Sequence, residues 1–427
     1  MRTTRRAVVL GTAAAGLALP LYARAQSQGV ELSVQYSIPE LFRGLMEDVA
    51  AAFMRANPGI RVAYRAPEQG YEEILQRNLR DAITRQLPDV AFHGLNRQRT
   101  LLERDIPVDL APLMREDPET RGLGYSESLL SLGQAGGKQT GIGFALSTPI
   151  LYFNGDLVRR AGGNPEALPS TWEQVAELAR AIHGNGNTGL FFDWTITGNW
   201  AWQALVFSHG GRMLNPEETR TAFNEEPGRR AIRALRVLVD EGRMPDIRPA
   251  TAFSDMFAGR LGVSMQSTAQ LGRYNREIGG RFPLACGRFP IPGPDARLPA
   301  GGNVAMVFTR DPQKQEAAWR FVKFATGPVG GTMMVRHTGY MPASTIPAQR
   351  EDMLAPFYRE NPNHSVTFRQ QDVITGWYAF PGQNALRITD TVNDHLQSVV
   401  AKRAEPEAAL ERMAADVQAL LPRQRAG

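Results

Sequence analysis

The sequence predicts an α/β protein of two lobes, each a sheet flanked by helices, with hinge crossovers between the lobes and a central ligand cleft. Three observations predict it. At 427 residues the chain exceeds what one hydrophobic core supports, so two lobes of roughly 150–220 residues are expected. From Glu31 onward short apolar runs alternate with stretches of helical periodicity, the pattern of βαβ units with largely parallel strands. Glycine- and proline-bearing segments then interrupt that pattern at Gly141–Pro149, Phe289–Pro294 and His337–Pro342, and each reads as a passage from one lobe to the other.

Leu32–Tyr36 alternates as a first strand. Leu41, Leu45, Val49 and Phe53 recur every four residues on one helix face, and Asn57-Pro58-Gly59 ends that helix. Ile60–Tyr64 is a second strand, Tyr71–Ala82 a second helix, and Pro88–Phe92 resumes the sheet. Ile150–Asn154 continues beyond the first crossover. Ser170-Thr171-Trp172-Glu173 reads as a capping box with Ser170 at the cap, opening a helix that Gly184 closes. A helix over about Arg229–Glu241, a strand after Gly301-Gly302-Asn303, a helix carrying Ala317, Ala318, Phe321 and Phe324, and terminal helices around Ile388–Lys402 and Pro406–Leu421 complete the chain. The expected division is 26–146 with 296–340 for the first lobe and 147–295 with 341–427 for the second.

Residues 1–25 lie outside this fold. They carry a basic start, an apolar middle and the cleavage pattern Ala23-Arg24-Ala25, so they read as an export signal removed before Gln26. Gly11, Gly16 and Pro20 interrupt the apolar stretch, which is too short for a hydrocarbon layer of about 30 Å. Arg5-Arg6 ahead of Ala7-Val8-Val9 fits the twin-arginine route, and Arg24 beside the cleavage point disfavours general secretion. Of the formal net charge of +5, Arg2, Arg5, Arg6 and Arg24 supply four units, which leaves the folded part near neutrality and gives a nucleic-acid partner no footing. The single cysteine, Cys286, cannot form an intramolecular disulfide and reads as a small buried hydrophobe.

A catalytic constellation is not legible. The six histidines are scattered without i, i+4 pairs, so no metal site is expected, and no phosphate-binding glycine loop or nucleophile elbow occurs. No cofactor is expected. The 43 acidic residues leave a two-carboxylate glycosidase formally open. Aromatic residues point elsewhere. Trp194, Trp200 and Trp202 lie close together beside Asn199, and Trp377, Tyr378 and Phe380 precede Pro381-Gly382. Rings offer an apolar face to sugar C–H groups or to a choline-like cation, though any one of these tryptophans reads equally well as core.

Dispersed motifs in a fixed order add to this reading. Gln69-Gly70-Tyr71-Glu72, Ser147-Thr148-Pro149-Ile150-Leu151-Tyr152-Phe153-Asn154, Thr171-Trp172, Phe257 to Met265 ahead of Ser267 or Thr268, and Thr338-Gly339-Tyr340-Met341-Pro342 follow one another along the chain. From Val34 to about Leu421 the sequence resembles cluster-B extracellular solute-binding proteins of ABC transporters, especially the glycerol-3-phosphate-binding branch. The resemblance implies the two-lobe periplasmic-binding-protein fold and a non-enzymatic, exported, periplasmic protein. It implies a monomer that delivers a small molecule to separate permease and ATPase chains of the inner membrane. It also implies ligand contacts at Tyr71, Ser147, Ser267, Gly302 and Tyr340, to which the aromatic reading adds Trp200 and Trp377.

Two departures bear on the ligand. Where that branch has a ligand-facing carboxylate this sequence has Leu95 followed by Asn96, and where it has a phosphate-contacting arginine this sequence has Pro381, with Arg387 a shifted substitute. Without a fixed guanidinium a phosphate monoester is disfavoured, and a sugar, a polyol or a glycerophosphodiester is expected. A secreted carbohydrate-active enzyme and a sensor subunit for a membrane receptor are the alternatives.

Overall fold

The computed structural model describes residues 29–422. The export signal read over residues 1–25 lies outside them.

Two sheets organise the molecule. The first has five strands in the spatial order Ile60–Tyr64, Val30–Gln35, Val90–Gly94, Gly301–Val307, Ile142–Ser147. The second has four, in the order Leu284–Arg288, Pro149–Asn154, Leu261–Ser267, Thr188–Phe192. The expectation of largely parallel strands holds for the opening βαβ units and for one pairing of the second sheet. Val30–Gln35 runs parallel to both its neighbours, whereas Gly301–Val307 is antiparallel to both of its own. In the second sheet a single parallel pairing, Thr188–Phe192 with Leu261–Ser267, stands beside two antiparallel ones. Strands that return from the other lobe enter without a crossover helix to reverse them, so they run antiparallel to the strands they join.

Each sheet supports its own core. Phe42, Phe53, Phe92, Phe144, Phe321 and Trp319 build the first, and Tyr152, Trp172, Phe192, Trp202, Phe223 and Tyr274 the second. Helix Pro39–Ala56 buries Phe42, Leu45, Met46, Val49 and Phe53, so the four-residue apolar spacing does face the core. Trp194 and Trp202, grouped in the sequence with Trp200, are core residues of the second lobe. Cys286 is free and buried, and burial pushes its thiol well above its usual range.

Helix Trp172–Ile182 corrects the expected cap by one position. Thr171 is the cap, its Oγ1 accepting from the Gln174 backbone N–H at 3.3 Å, and the Gln174 carboxamide reaches back to the Ser170 N–H at 3.0 Å. The cap falls on Thr171 because Trp172 begins the buried face, and the return bond from Gln174 reaches the residue before the cap.

The strand Ile142–Ser147 belongs to the first sheet and Pro149–Asn154 to the second, with Thr148 alone between them. Leu284–Arg288 and Gly301–Val307 flank the proline-rich passage in the same way. Beyond Tyr340, Met341, Ala343 and Leu354 pack with the first core. Asn363 then brackets the backbone of Cys286 and Leu284 in the second sheet at 3.1 and 2.8 Å. The terminal helices Ala385–Val400 and Pro406–Leu420 bury Ile388, Leu396, Leu410 and Met413 in the second core.

Candidate functional site

Helix, strand and loop ends converge where the lobes meet. Tyr71 opens helix Tyr71–Ile83, and its hydroxyl accepts from Asn303 Nδ2 at 3.3 Å. Burial pushes the Tyr71 phenol up to about 12, against the lowering effect of hydrogen bonds with Asn303 and Tyr340, so it stays protonated in neutral water. Tyr340 stacks on Phe42 with ring centroids 5.6 Å apart, and its N–H donates to Thr338 Oγ1 at 3.1 Å. Burial likewise drives the Tyr340 phenol far above its usual range. Both hydroxyls are therefore neutral groups for hydrogen bonding.

Gly302 stands against Tyr340 with φ 103°, and a Cβ there would lie 1.8 Å from the Ala145 carbonyl oxygen and 3.2 Å from the Tyr340 ring. Only glycine fits that approach. Its neighbour Gly301 pairs with Ser147, and a Cβ on Gly301 would meet Ser147 Oγ at 2.6 Å and the Trp200 indole at 3.0 Å. Ser147 and Trp200 thus share one small space.

The second lobe contributes the segment Asp193–Trp200. Gly198 and Asn199 are both left-handed, with φ 65° and 56°. Asn199 holds that geometry by donating to the Thr389 carbonyl at 2.9 Å and to Asn393 Oδ1 at 3.0 Å on the terminal helix. The turn brings the Gly198 backbone against Asn96 and Trp377. Trp377 lies edge-on to Tyr71 at 6.4 Å and 6.2 Å from Trp200. Tyr340, Tyr71, Trp377, Trp200 and Ser147 therefore form a continuous wall, with Asn96, Asn303 and Gly302 set into it.

Several buried polar atoms in this wall have no partner in the protein: Asn96 Oδ1, Asn303 Oδ1, Trp200 Nε1, Trp377 Nε1 and Arg97 Nε. Buried polar atoms are nearly always satisfied, so these donors and acceptors stand free for hydrogen bonding beside the aromatic rings. A cavity of about 370 Å³ adjoins it, lined by Asn96, Arg99, Glu218, Trp377 and Tyr378 from both lobes. A larger hollow of about 700 Å³ lies elsewhere on the first lobe around Trp319 and Lys323 and shares none of these residues.

Of the nine residues expected to bind ligand, Tyr71, Asn96, Ser147, Trp200, Gly302, Tyr340 and Trp377 come together here. Ser267 sits one strand pairing away, opposite Pro149, with its Oγ accepting from the Ala269 N–H at 3.1 Å. Arg387 lies on the exposed side of helix Ala385–Val400, and only its backbone carbonyl makes a hydrogen bond, from Thr391. Sequence reasoning missed Asn303, although the neighbouring Gly301-Gly302 pointed to it. It also missed Glu72, Arg97, Thr197 and the pair Arg99 and Glu218. Among the described residues no cluster of His, Cys, Asp and Glu has metal-binding geometry, and no helix is long and apolar enough to cross a membrane.

Known proteins share this architecture. UgpB from Mycobacterium tuberculosis, solved in complex with glycerophosphocholine, superposes with a TM-score of 0.78 at 18% identity, covering 90% of this chain and 97% of that one. The cyclic alpha-maltosyl-1,6-maltose binding protein of Arthrobacter globiformis gives 0.77 at 20% identity, covering 92% and 99%. The sn-glycerol-3-phosphate-binding periplasmic protein UgpB of Pectobacterium atrosepticum is 23% identical over 297 residues, 66% of each chain. Its Agrobacterium fabrum counterpart is 24% identical over 281 residues, 62% of this chain and 63% of that one. The matched part thus spans just under two thirds of these two relatives. Residues 37–332 match the model of the bacterial extracellular solute-binding proteins, and the chain belongs to that family.

Proposed function

We propose that this protein is the exported, periplasmic substrate-binding component of an ABC importer, capturing a small polar molecule between its lobes and delivering it to separate permease and ATPase chains. The observation that carries this reading is the cluster of unpartnered buried atoms on Asn96, Asn303, Trp200 and Trp377, set among aromatic rings at the junction of two independently cored lobes. The relatives supply the chemical range: one is named for sn-glycerol-3-phosphate, and solved neighbours hold glycerophosphocholine and maltose. A sugar, polyol or glycerophosphodiester fits a wall of neutral donors, acceptors and rings.

The mechanism is reversible capture by a monomer, with no bond broken. Ligand contacting both lobes biases the hinge toward the closed form by its differential affinity for that form. We place the third passage of the chain between Leu354 and Asn363, because Leu354 packs in the first core and Asn363 bonds to the second sheet.

A thermal-shift screen over sugars, polyols, glycerol phosphate and glycerophosphocholine tests the reading, since a ligand preferring the native state raises the apparent melting temperature. Ser147→Ala and Tyr340→Ala should each weaken binding of the hit by roughly 1–3 kcal/mol, the scale of an unpaired buried polar group. Unchanged affinity in both variants would place the ligand elsewhere.

A further inference from the structure

At the edge of the aromatic wall, one carboxylate serves two partners. Arg97, directly after Asn96, is buried and points its guanidinium at Glu72 Oε1, with which it forms an ion pair. The same oxygen accepts from Thr197 Oγ1 of the second lobe at 2.5 Å. Glu72 is the residue after Tyr71, in the first turn of a 13-residue helix whose N-terminus favours a negative charge. Arg97 Nε remains unpartnered and buried. The second arginine at the seam, Arg99, is held by Glu218 at 2.6 Å.

We infer that Glu72 is a specificity-determining residue, neutralising Arg97 so that the cleft selects an uncharged, hydroxyl-bearing ligand over a phosphate-bearing one. This deepens the proposed function and rests on the reading that the cleft is the ligand site. A guanidinium bordering the wall would otherwise offer a strong charge-assisted anchor for phosphate oxygens. With Glu72 in place that anchor is already occupied. An incoming phosphate would have to displace the carboxylate or lie beside it, and like charges close together in a poorly hydrated cleft repel strongly. A sugar hydroxyl meets no such obstacle and can satisfy Arg97 Nε, Asn96 Oδ1 and the indole N–H groups as they stand.

The test compares wild type, Glu72→Gln and the double variant Glu72→Gln/Arg97→Gln by calorimetric titration with maltose, tagatose, sn-glycerol-3-phosphate and inorganic phosphate. Glutamine keeps an acceptor for Thr197 while releasing the guanidinium. Wild type is expected to bind at least one neutral saccharide at least tenfold more tightly than either phosphate probe. Glu72→Gln is expected to gain tenfold or more for sn-glycerol-3-phosphate, with the gain falling as salt rises, and the double variant is expected to lose it. A wild type that prefers sn-glycerol-3-phosphate overturns the inference, and so does a folded Glu72→Gln without the gain. Should Glu72→Gln fail to fold, the wild-type preference decides alone, and equal or absent binding of both classes also counts against the inference. Saccharide binding insensitive to Ser147→Ala and Tyr340→Ala overturns the site assignment itself, a different result from a missing phosphate gain with those variants still weakened.

Discussion

The guanidinium of Arg99 and the carboxylate of Glu218 meet at 2.6 Å across the seam between the lobes, from positions 119 residues apart. The Tyr378 hydroxyl donates to the same carboxylate at 2.9 Å. The Tyr378 contact stays within the second lobe, whereas the Arg99 pair forms only while the lobes are together, so under the proposed hinge mechanism it favours the closed form whether or not ligand is present. Both side chains are about one-third exposed, which limits such a pair to about 0–1 kcal/mol.

Glu218→Gln keeps an acceptor for Tyr378 and removes the ion pair. We predict that it lowers ligand affinity about two- to fivefold, the equivalent of up to about 1 kcal/mol, and enlarges the ligand-free radius of gyration. The wild-type advantage should shrink at high salt, because partly exposed charges are screened. Identical scattering profiles and identical affinities would show that the pair decorates the seam without biasing closure.

Gly302→Ala tests the close approach on which the Tyr340 side of the site depends. The added methyl carbon would lie 1.8 Å from the Ala145 carbonyl oxygen, at a backbone φ of 103° that alanine rarely adopts. Either the strand pairing of Gly302 with Leu146 shifts or the backbone turns. We predict a stability loss of more than about 2 kcal/mol, combining left-handed strain with displaced strand backbone, read as a lower urea midpoint. A midpoint within error of wild type would mean that the strand edge adapts freely.

His93 makes stability depend on pH. It is fully buried, its Nε2 is 2.9 Å from Asn78 Oδ1, and burial, reinforced by the nearby positive charge of Arg97, pushes its pKa down to about 3. In the unfolded chain a histidine titrates near about 6.5. Below that pH the unfolded state takes up a proton that the native state refuses. The stabilisation is complete above about pH 6.5 and is lost progressively as pH falls toward about 3. At pH 5 the loss from His93 amounts to roughly 2 kcal/mol. His364, pushed by burial down to about 4, acts in the same direction. Urea unfolding at pH 7.5 and 5.0 should therefore show a smaller drop for His93→Gln than for wild type. Equal drops would assign the dependence to other groups.

Much of this architecture is written in local patterns. The periodicity of Leu41, Leu45, Val49 and Phe53, the Asn57-Pro58-Gly59 stop and the βαβ spacing up to Phe92 are short-range signals, and the corresponding elements formed within two residues of expectation. Tyr71, Ser147 and Tyr340 are legible only through the resemblance to the solute-binding family, and the fold brings them to one wall. Trp200 is singled out from Trp194 and Trp202 without a periodic signal behind the choice, since helix Trp200–Ser208 is buried all round and its sequence has no polar face to orient it. The pairs Glu72 with Thr197 and Arg99 with Glu218 span 125 and 119 residues. Charges so far apart acquire meaning only once both lobes are folded and placed together.

Gln203 is of the same kind, and it carries the last prediction. Fully buried in helix Trp200–Ser208, it donates from Nε2 to the carbonyls of Gly198 and Tyr378, both at 3.0 Å, and accepts from the Tyr378 N–H at 3.0 Å. One side chain thereby fastens the turn that leads into Trp200 to the segment that follows Trp377. Two rings of the wall, Trp200 and Trp377, are thus set by a side chain that lies behind them. Gln203→Ala leaves a buried N–H and two carbonyls unpaired, at roughly 1–3 kcal/mol for the lost network. Ligand affinity should fall at least tenfold, because the rings are no longer held in register with Asn96. Gln203→Glu, which keeps the acceptor for Tyr378 but buries a carboxylate against the two carbonyl oxygens, should cost at least as much as alanine. Titration at a temperature where all three proteins are folded separates the effects: a stability loss with unchanged affinity would make Gln203 a support for the fold and not for the alignment of the site.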